Sequence, residues 1–479
     1  MNLHQVIRFP ARRSPVLVLA LLAGLSFAVP AGVGAAQAPM TWRAGAATVG
    51  ITPETSMWMA GFGSRNKPSE GIVQNLNAKA LALADAQDGR FVFVTLDLIG
   101  VTRSMRKSLE SRLAQSYQLR PEQFVLTASH THCGPELREF KVPPGASESG
   151  PAALIPGYVA ALENKIHALV GEALNNLAPA RIAYTRARAG FAMNRRRPQK
   201  NGSYTNAPFA DGPVDHDVPV LRVDGADGHL RAVLFGYACH NTTLSFYQFC
   251  GDYAGFAQEY LQADYPGAIA LFMTGCAGDQ NPYPRGTVAL AQAHGRTLAT
   301  AVEAALFTTS TPLTGSLKSA YTEIDLRYAP PPARAEFEAL LVSKDKIEAA
   351  RARRMLDRII QDGALPDSYP YPVQVVRVGR ELEFIALGGE VVVDYSLRLK
   401  RQLGGPGSVW IAGYSNDVMA YIPSERVLRE GGYEGGGQMR HSDHPGPWAS
   451  GLEEQIVTTV TELERATREA NKVSPQTAR

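Results

Sequence analysis

The chain has 479 residues, 45% of them hydrophobic and 19% charged, with 44 Gly and 32 Pro, which excludes a disordered chain and allows a large core with many loops. The net charge is only +3, and no Lys/Arg-rich tract stands out after the N-terminus, so a nucleic-acid partner is excluded. Nothing in the composition implies a protein partner.

Arg8, Arg12 and Arg13 precede the apolar stretch Val16 to Val29 and the small-residue segment AGVGAAQA. This pattern predicts a signal peptide over residues 1–36 and a secreted or periplasmic protein. No later segment approaches the roughly 20 consecutive apolar residues of a spanning helix. Residues 37–479 carry no internal repeat, low-complexity tract or linker, and read as one domain.

Five apolar runs predict buried strands: FVFVTLDLIG from Phe91, QFVLTASH from Gln123, RAVLFGYACH from Arg231, AIALFMTGCAG from Ala268 and LEFIALGGE from Leu382. Helical spacing lies between them, in PGYVAALENKIHALVGEALNNL from Pro156 and GDYAGFAQEYLQADY from Gly251. This alternation predicts an α/β fold, β-sheets flanked by helices, with ligands beyond the carboxyl ends of strands. Pro331 to Gly363 is a charged helical run, either a solvated outer element or a lid.

Several candidates for chemistry follow these strands. In SHTHCGP, His130 and His132 stand two apart, so an extended chain turns both to one side; they are metal ligands or hydrogen-bonded packing. His240 ends a wholly apolar strand and is a ligand or a core histidine. Glu390 follows FIALGG and either ligates a metal or complements the N-terminus of the helix after it. Tyr421 and Tyr433 lie in Gly-rich sequence, as turn tyrosines or as phenols presented to a metal or an oxyanion. The glycines lack a phosphate-loop fingerprint. GCAGDQNPYPRG, with Asp279 and Asn281, taken singly reads as a structural turn. Cys133, Cys239, Cys250 and Cys276 have no C-x-x-C spacing, which disfavours a thiolate zinc knuckle and leaves their pairing open.

Taken together, GITPETSMWMAGFG, VFVTLDLIG, SHTHCGP, MNRRRP, GDYAGFAQEYL, AGDQNP, GGE, AYIPS and YEGG resemble the neutral/alkaline ceramidase family, zinc amidases that cleave the N-acyl bond of ceramide. The resemblance implies that zinc is held by His130, His240, Glu390 and Tyr421, that His132 handles the proton of the zinc-bound water, and that Tyr433 and Arg195 serve the reacting carbonyl. It implies an N-acyl lipid substrate and a transient contact with a membrane surface. Asn281 stands where the family has serine, which alters a contact to the substrate head group. The chain also ends soon after Tyr433, so the expected fold is a single catalytic domain without the C-terminal immunoglobulin-like β-sandwich of characterised ceramidases. Two alternatives remain: a zinc amidase for a non-sphingoid N-acyl compound, and a non-catalytic lipid-binding protein on the same fold.

Overall fold

In NAKALALA, the strand Asn77–Ala84, every side chain after the first is buried, so this strand is covered on both faces. Alternate residues face opposite sides of a sheet. Accordingly Ala78, Ala80 and Ala82 enter one core and Leu81 and Leu83 another. The computed structural model, which describes residues 40–138, 141 and 150–469, shows what lies on each side. The expected signal peptide falls outside the described residues.

One nine-stranded sheet runs Ile269–Thr274, Leu230–Tyr237, Asp217–Gly225, Ala178–Arg188, Trp42–Gly50, Asn77–Ala84, Arg90–Leu96 and Phe124–Ala128, with Thr311–Pro312 beside Ala178–Arg188. A second, four-stranded sheet runs Leu317–Arg327, Ser368–Val378, Leu382–Leu387 and Val409–Ala412. Leu81, Phe93, Leu221 and Leu234 of the first sheet share a core with Val376, Phe384 and Trp410 of the second, so the sheets pack face to face. Helices Arg103–Tyr117, Ile155–Asn175, Asp252–Asp264 and Val288–Phe307 cover the other face of the large sheet. Val393–Leu403 and Leu452–Glu469 cover the outer face of the small one. The result is four layers, helix, sheet, sheet and helix, each burying one apolar face.

All five expected strands and both expected helices are present. The charged run forms two helices, Arg334–Leu340 and Lys346–Asp362. They share a small core of Phe337, Ala352, Met355 and Leu356, and an Arg354–Asp443 ion pair ties them down. Most sheet pairings are antiparallel; Phe124–Ala128, Ile269–Thr274 and Val409–Ala412 each pair parallel with a neighbour. The four cysteines are buried and unbonded. Among the described residues no helix is long and apolar enough to cross a membrane.

The two sheets also meet through hydrogen bonds at one edge. Asn416 N–H donates to Leu126 O at 2.7 Å and Ala128 N–H to Tyr414 O at 3.2 Å. At this edge the carboxyl ends of Phe124–Ala128 and Leu382–Leu387 lie together. Phe93, whose ring meets Phe384 edge-on with centroids 5.3 Å apart, belongs to the core between the sheets. Phe93→Ala should therefore cost about 3–5 kcal/mol, measured as a lower urea midpoint with an unchanged slope.

Candidate active site

His130 follows the strand Phe124–Ala128 with φ +61°, a left-handed turn that ends the extended run. His130 and His132 do converge, Nε2 to Nε2 at 3.2 Å, but through this kink and not through strand alternation. His130 Nδ1 lies 2.6 Å from Ile99 O. A carbonyl oxygen only accepts, so Nδ1 carries the proton and Nε2 faces inward. His240 repeats the arrangement beyond Leu230–Tyr237, with Nδ1 2.6 Å from Ala277 O.

Glu390 is reached from Leu382–Leu387 through Gly388 and Gly389. At Gly389 φ is +73°, and a Cβ would come within 2.7 Å of Ala420 O, so glycine is required there. Glu390 then pairs with Tyr421 in a short parallel ribbon, which sets the carboxylate beside the phenol. The following helix takes its first-turn acid from Asp394, and Asp279 accepts from Val393 N–H at 2.8 Å. Those two carboxylates supply the negative charge at that N-terminus, and Glu390 points elsewhere. Its Oε2 lies 3.1 Å from His130 Nε2 and 3.1 Å from His240 Nε2. Tyr421 Oη lies 3.3 Å from His240 Nε2.

Arg195 spans this cluster. It donates from Nη2 to Tyr421 Oη at 2.9 Å, from Nη1 to Asn281 Oδ1 at 3.1 Å and from Nε to Glu434 Oε1 at 2.8 Å. Asn281 also accepts from Thr242 Oγ1 at 3.3 Å, so its carbonyl oxygen steadies the guanidinium. The Tyr433 ring packs edge-on against Tyr421 at 5.3 Å, and Tyr433 is 43% exposed, which puts it at the mouth of the site. His130, His132, His240, Glu390, Tyr421, Tyr433, Arg195 and Asn281 thus lie in or around one centre.

Burial pushes the Tyr433 phenol up to about 12, so it stays a donor at neutral pH. Burial, with Arg195 adding, pushes His240 down to about 4. His240 is therefore neutral, and its Nε2 lone pair faces the Glu390 carboxylate with no proton between them. His132 is also pushed well down by burial, with His130 and His240 adding, and its buried Nδ1 has no hydrogen-bond partner.

Lone pairs converging on a carboxylate oxygen repel unless a cation sits among them. The spacing suits one: four donors about 2.0–2.1 Å from a tetrahedral ion stand roughly 3.3 Å apart. His130, His132 and His240 by themselves also form a group able to hold a metal. The two sets share His130 and His240: Glu390 Oε2 lies 3.1 Å from both, and His132 Nε2 lies 3.2 Å from His130 Nε2.

Some neighbours carried no signal that the sequence reading used. Gly61, with φ +103°, lies so close to His132 that a Cβ would come within 2.4 Å of its ring, and Phe62 packs on the same ring at 4.7 Å. Gly-Phe-Gly in GITPETSMWMAGFG was the available cue. Tyr414, whose ring lies 4.4 Å from that of His130, had none, and Glu434 stood within the quoted YEGG without being singled out. The segment SFYQF mainly packs: Phe249 is in the core, with Phe246 and Tyr247 against it. A cavity of about 1030 Å³ is lined by Leu137, Arg138, Val159, Tyr369 and His444 among others, and none of the candidate residues lines it.

Fold and site together define a layered α/β protein with a buried His/carboxylate/Tyr centre of metal-site type at the junction of two sheets. Residues 42–309, more than half of the chain, match the family described as neutral/alkaline non-lysosomal ceramidase, N-terminal, and the chain belongs to that family. Membership supports a hydrolase acting on amide bonds. The fold is similar to the crystal structure of neutral ceramidase from Pseudomonas aeruginosa, with TM-score 0.72 and 19% identity over 92% of this chain and 76% of that one. It is also similar to a ceramidase complexed with C2, with TM-score 0.70 and 19% identity over 92% of this chain and 77% of that one. No curated protein searched matches the sequence.

The lowered His240 fixes the sign of its own contribution to acid stability in the metal-free protein, while Asp252, Asp279 and Asp417, raised by burial to about 6, 6 and 7, act in the opposite direction. Between pH 6.5 and about 4 the unfolded chain binds a proton that folded His240 refuses. The stability from neutral His240 is complete above about 6.5 and is lost as pH falls toward 4. In metal-free protein the urea midpoint of the wild type relative to His240→Asn should fall between pH 7 and pH 5; a difference that does not change with pH would contradict a neutral His240.

Proposed function

We propose that the protein is a zinc-dependent amidohydrolase that cleaves the N-acyl bond of ceramide, or of a related N-acyl lipid, to a fatty acid and an amine. The observation that carries this is Glu390 Oε2 at 3.1 Å from two imidazole nitrogens whose opposite nitrogens are both tied to backbone carbonyls. Neutral imidazole, carboxylate and phenol oxygen suit zinc, and His130, His240, Glu390 and Tyr421 would hold it. Zinc bound there supplies a Lewis acid and a water acidified to a pKa of about 7.

The rest is the work of the chain. His132, buried and neutral, takes a proton from the attacking water and returns it to the departing amine. Tyr433, protonated at neutral pH, donates to the carbonyl oxygen as negative charge builds. Arg195 holds the Tyr421 hydroxyl and brings positive charge to the same side. Asn281 acts on a substrate head group through Arg195, which its carbonyl oxygen holds. The full set of acid, base and donor groups favours turnover over the lipid-binding alternative, since binding alone needs neither His132 nor Tyr433. Secretion through the N-terminal segment belongs to the same proposal.

Purified protein should contain about one zinc per chain and release fatty acid from ceramide, and His130→Ala should lose both. Zinc without ceramide cleavage would move the substrate to a non-sphingoid N-acyl compound. Absence of bound metal after zinc is supplied would end the mechanism. Tyr433→Phe should keep its zinc and lose on the order of 100-fold in kcat, the usual cost of such a donor, measured under saturating substrate.

A further inference from the structure

Arg195 and Arg196 are neighbours on the strand Ala192–Pro198, and neighbours on a regular strand point to opposite faces. Here the pairing with Tyr204–Phe209 slips between Asn194 and Arg196, an irregularity of the type that re-aims side chains beside active sites. Both guanidinium groups consequently reach one carboxylate. Arg195 Nε donates to Glu434 Oε1 at 2.8 Å and Arg196 Nη1 to Glu434 Oε2 at 2.9 Å. Glu434 is 3% exposed, Arg195 4% and Arg196 2%.

Such a buried triad is poor evidence for stability, because desolvating three charges offsets most of their attraction. What it does fix is geometry. Glu434 adjoins Tyr433, and Arg196 also donates to Gly431 O at 2.9 Å and Glu430 Oε2 at 3.2 Å. The Gly-rich segment that carries Tyr433 is thereby clamped from both sides to the strand that carries Arg195. Gly435 completes the clamp, since a Cβ there would come within 2.5 Å of Gly431 O and Val427 O. The same Arg195 reaches Tyr421 through Nη2, so one carboxylate sets the position of Tyr433 relative to Tyr421.

We propose that Glu434 is a positioning residue for the reaction, holding Tyr433 at the mouth of the site by bridging Arg195 and Arg196. This rests on the role of Tyr433 proposed above. Glu434→Gln keeps the shape but leaves an amide NH2 facing one arginine, which loosens the segment.

The test is a double-mutant cycle on kcat with ceramide, using Tyr433→Phe, Glu434→Gln and the double variant of the full chain, with zinc content and thermal midpoint measured for each. Glu434→Gln should lower kcat on the order of 10-fold or more with zinc content and KM little changed. In the Tyr433→Phe background the same substitution should change kcat by less than about 3-fold, because neighbours acting as a unit are not additive. Multiplicative losses, or a kcat that Glu434→Gln leaves unchanged, would overturn the positioning role while leaving Tyr433 in place. A Tyr433→Phe variant with full kcat would instead overturn the role of Tyr433, and this inference with it. If Glu434→Gln reduces the yield of folded protein, Glu434→Asp, which keeps the charge and shortens the reach, goes through the same cycle with the same criteria.

Discussion

A carboxylate oxygen held 3.1 Å from each of two imidazole nitrogens is what the surrounding structure is built to maintain. Their lone pairs repel, and the low-dielectric interior strengthens that repulsion. The arrangement persists because the opposite side of each histidine ring is tied to a main-chain carbonyl, Ile99 O or Ala277 O. Those carbonyls lie in turns that follow buried strands, so the energy that keeps like against like comes from the packing of the sheets. A hydrogen bond from the second ring nitrogen to a carbonyl is also what fixes the orientation and tautomer of a metal-binding histidine.

Charge balance extends the same logic outward. A divalent ion between His130, His240 and Glu390 would face the Arg195 guanidinium, which lies 3.3 Å from His240 Nε2. Left alone, that cation would oppose the metal. Glu434, held below the usual carboxylate range by Arg195 and Arg196 against the upward push of burial, takes up the arginine charge from the far side. Arg195 can then sit close enough to hold the Tyr421 hydroxyl. Its placement makes sense only with a carboxylate on either side.

Much of this was legible in the sequence, for a specific reason. Runs such as FVFVTLDLIG and RAVLFGYACH are buried on both faces, so their strands appear as unbroken apolar stretches, and polar residues at their ends stand out. His130, His240 and Glu390 were visible on that account. The strands Trp42–Gly50, Ala178–Arg188 and Leu317–Arg327 are partly exposed, and their mixed composition hid them, which is why the antiparallel share of the sheets went unread. The H-x-H pair was correctly brought together on a wrong geometric premise: strand alternation gives way to a left-handed residue at His130. Glu434 stood in the quoted YEGG, but its contacts could not be read because they come from a slipped strand pairing more than two hundred residues away in the chain.

The provenance of the four proposed ligands has a further consequence. His130 and His240 leave the carboxyl ends of strands in the large sheet, whereas Glu390 follows a strand of the small sheet and pairs with Tyr421 just beyond its last strand. Neither sheet carries a complete site. The centre exists only when Leu81, Phe93 and Leu234 have packed against Val376, Phe384 and Trp410 and the edge bonds from Asn416 to Leu126 and from Ala128 to Tyr414 have formed. A cation bound there joins the two halves and favours the packed arrangement over any other by mass action. In the reverse direction, the core between the sheets sets how tightly four donors can be held. Inter-sheet packing and the spacing of these donors are therefore coupled, and residues far from the histidines, Phe384 and Trp410 among them, bear on the site through the core they share.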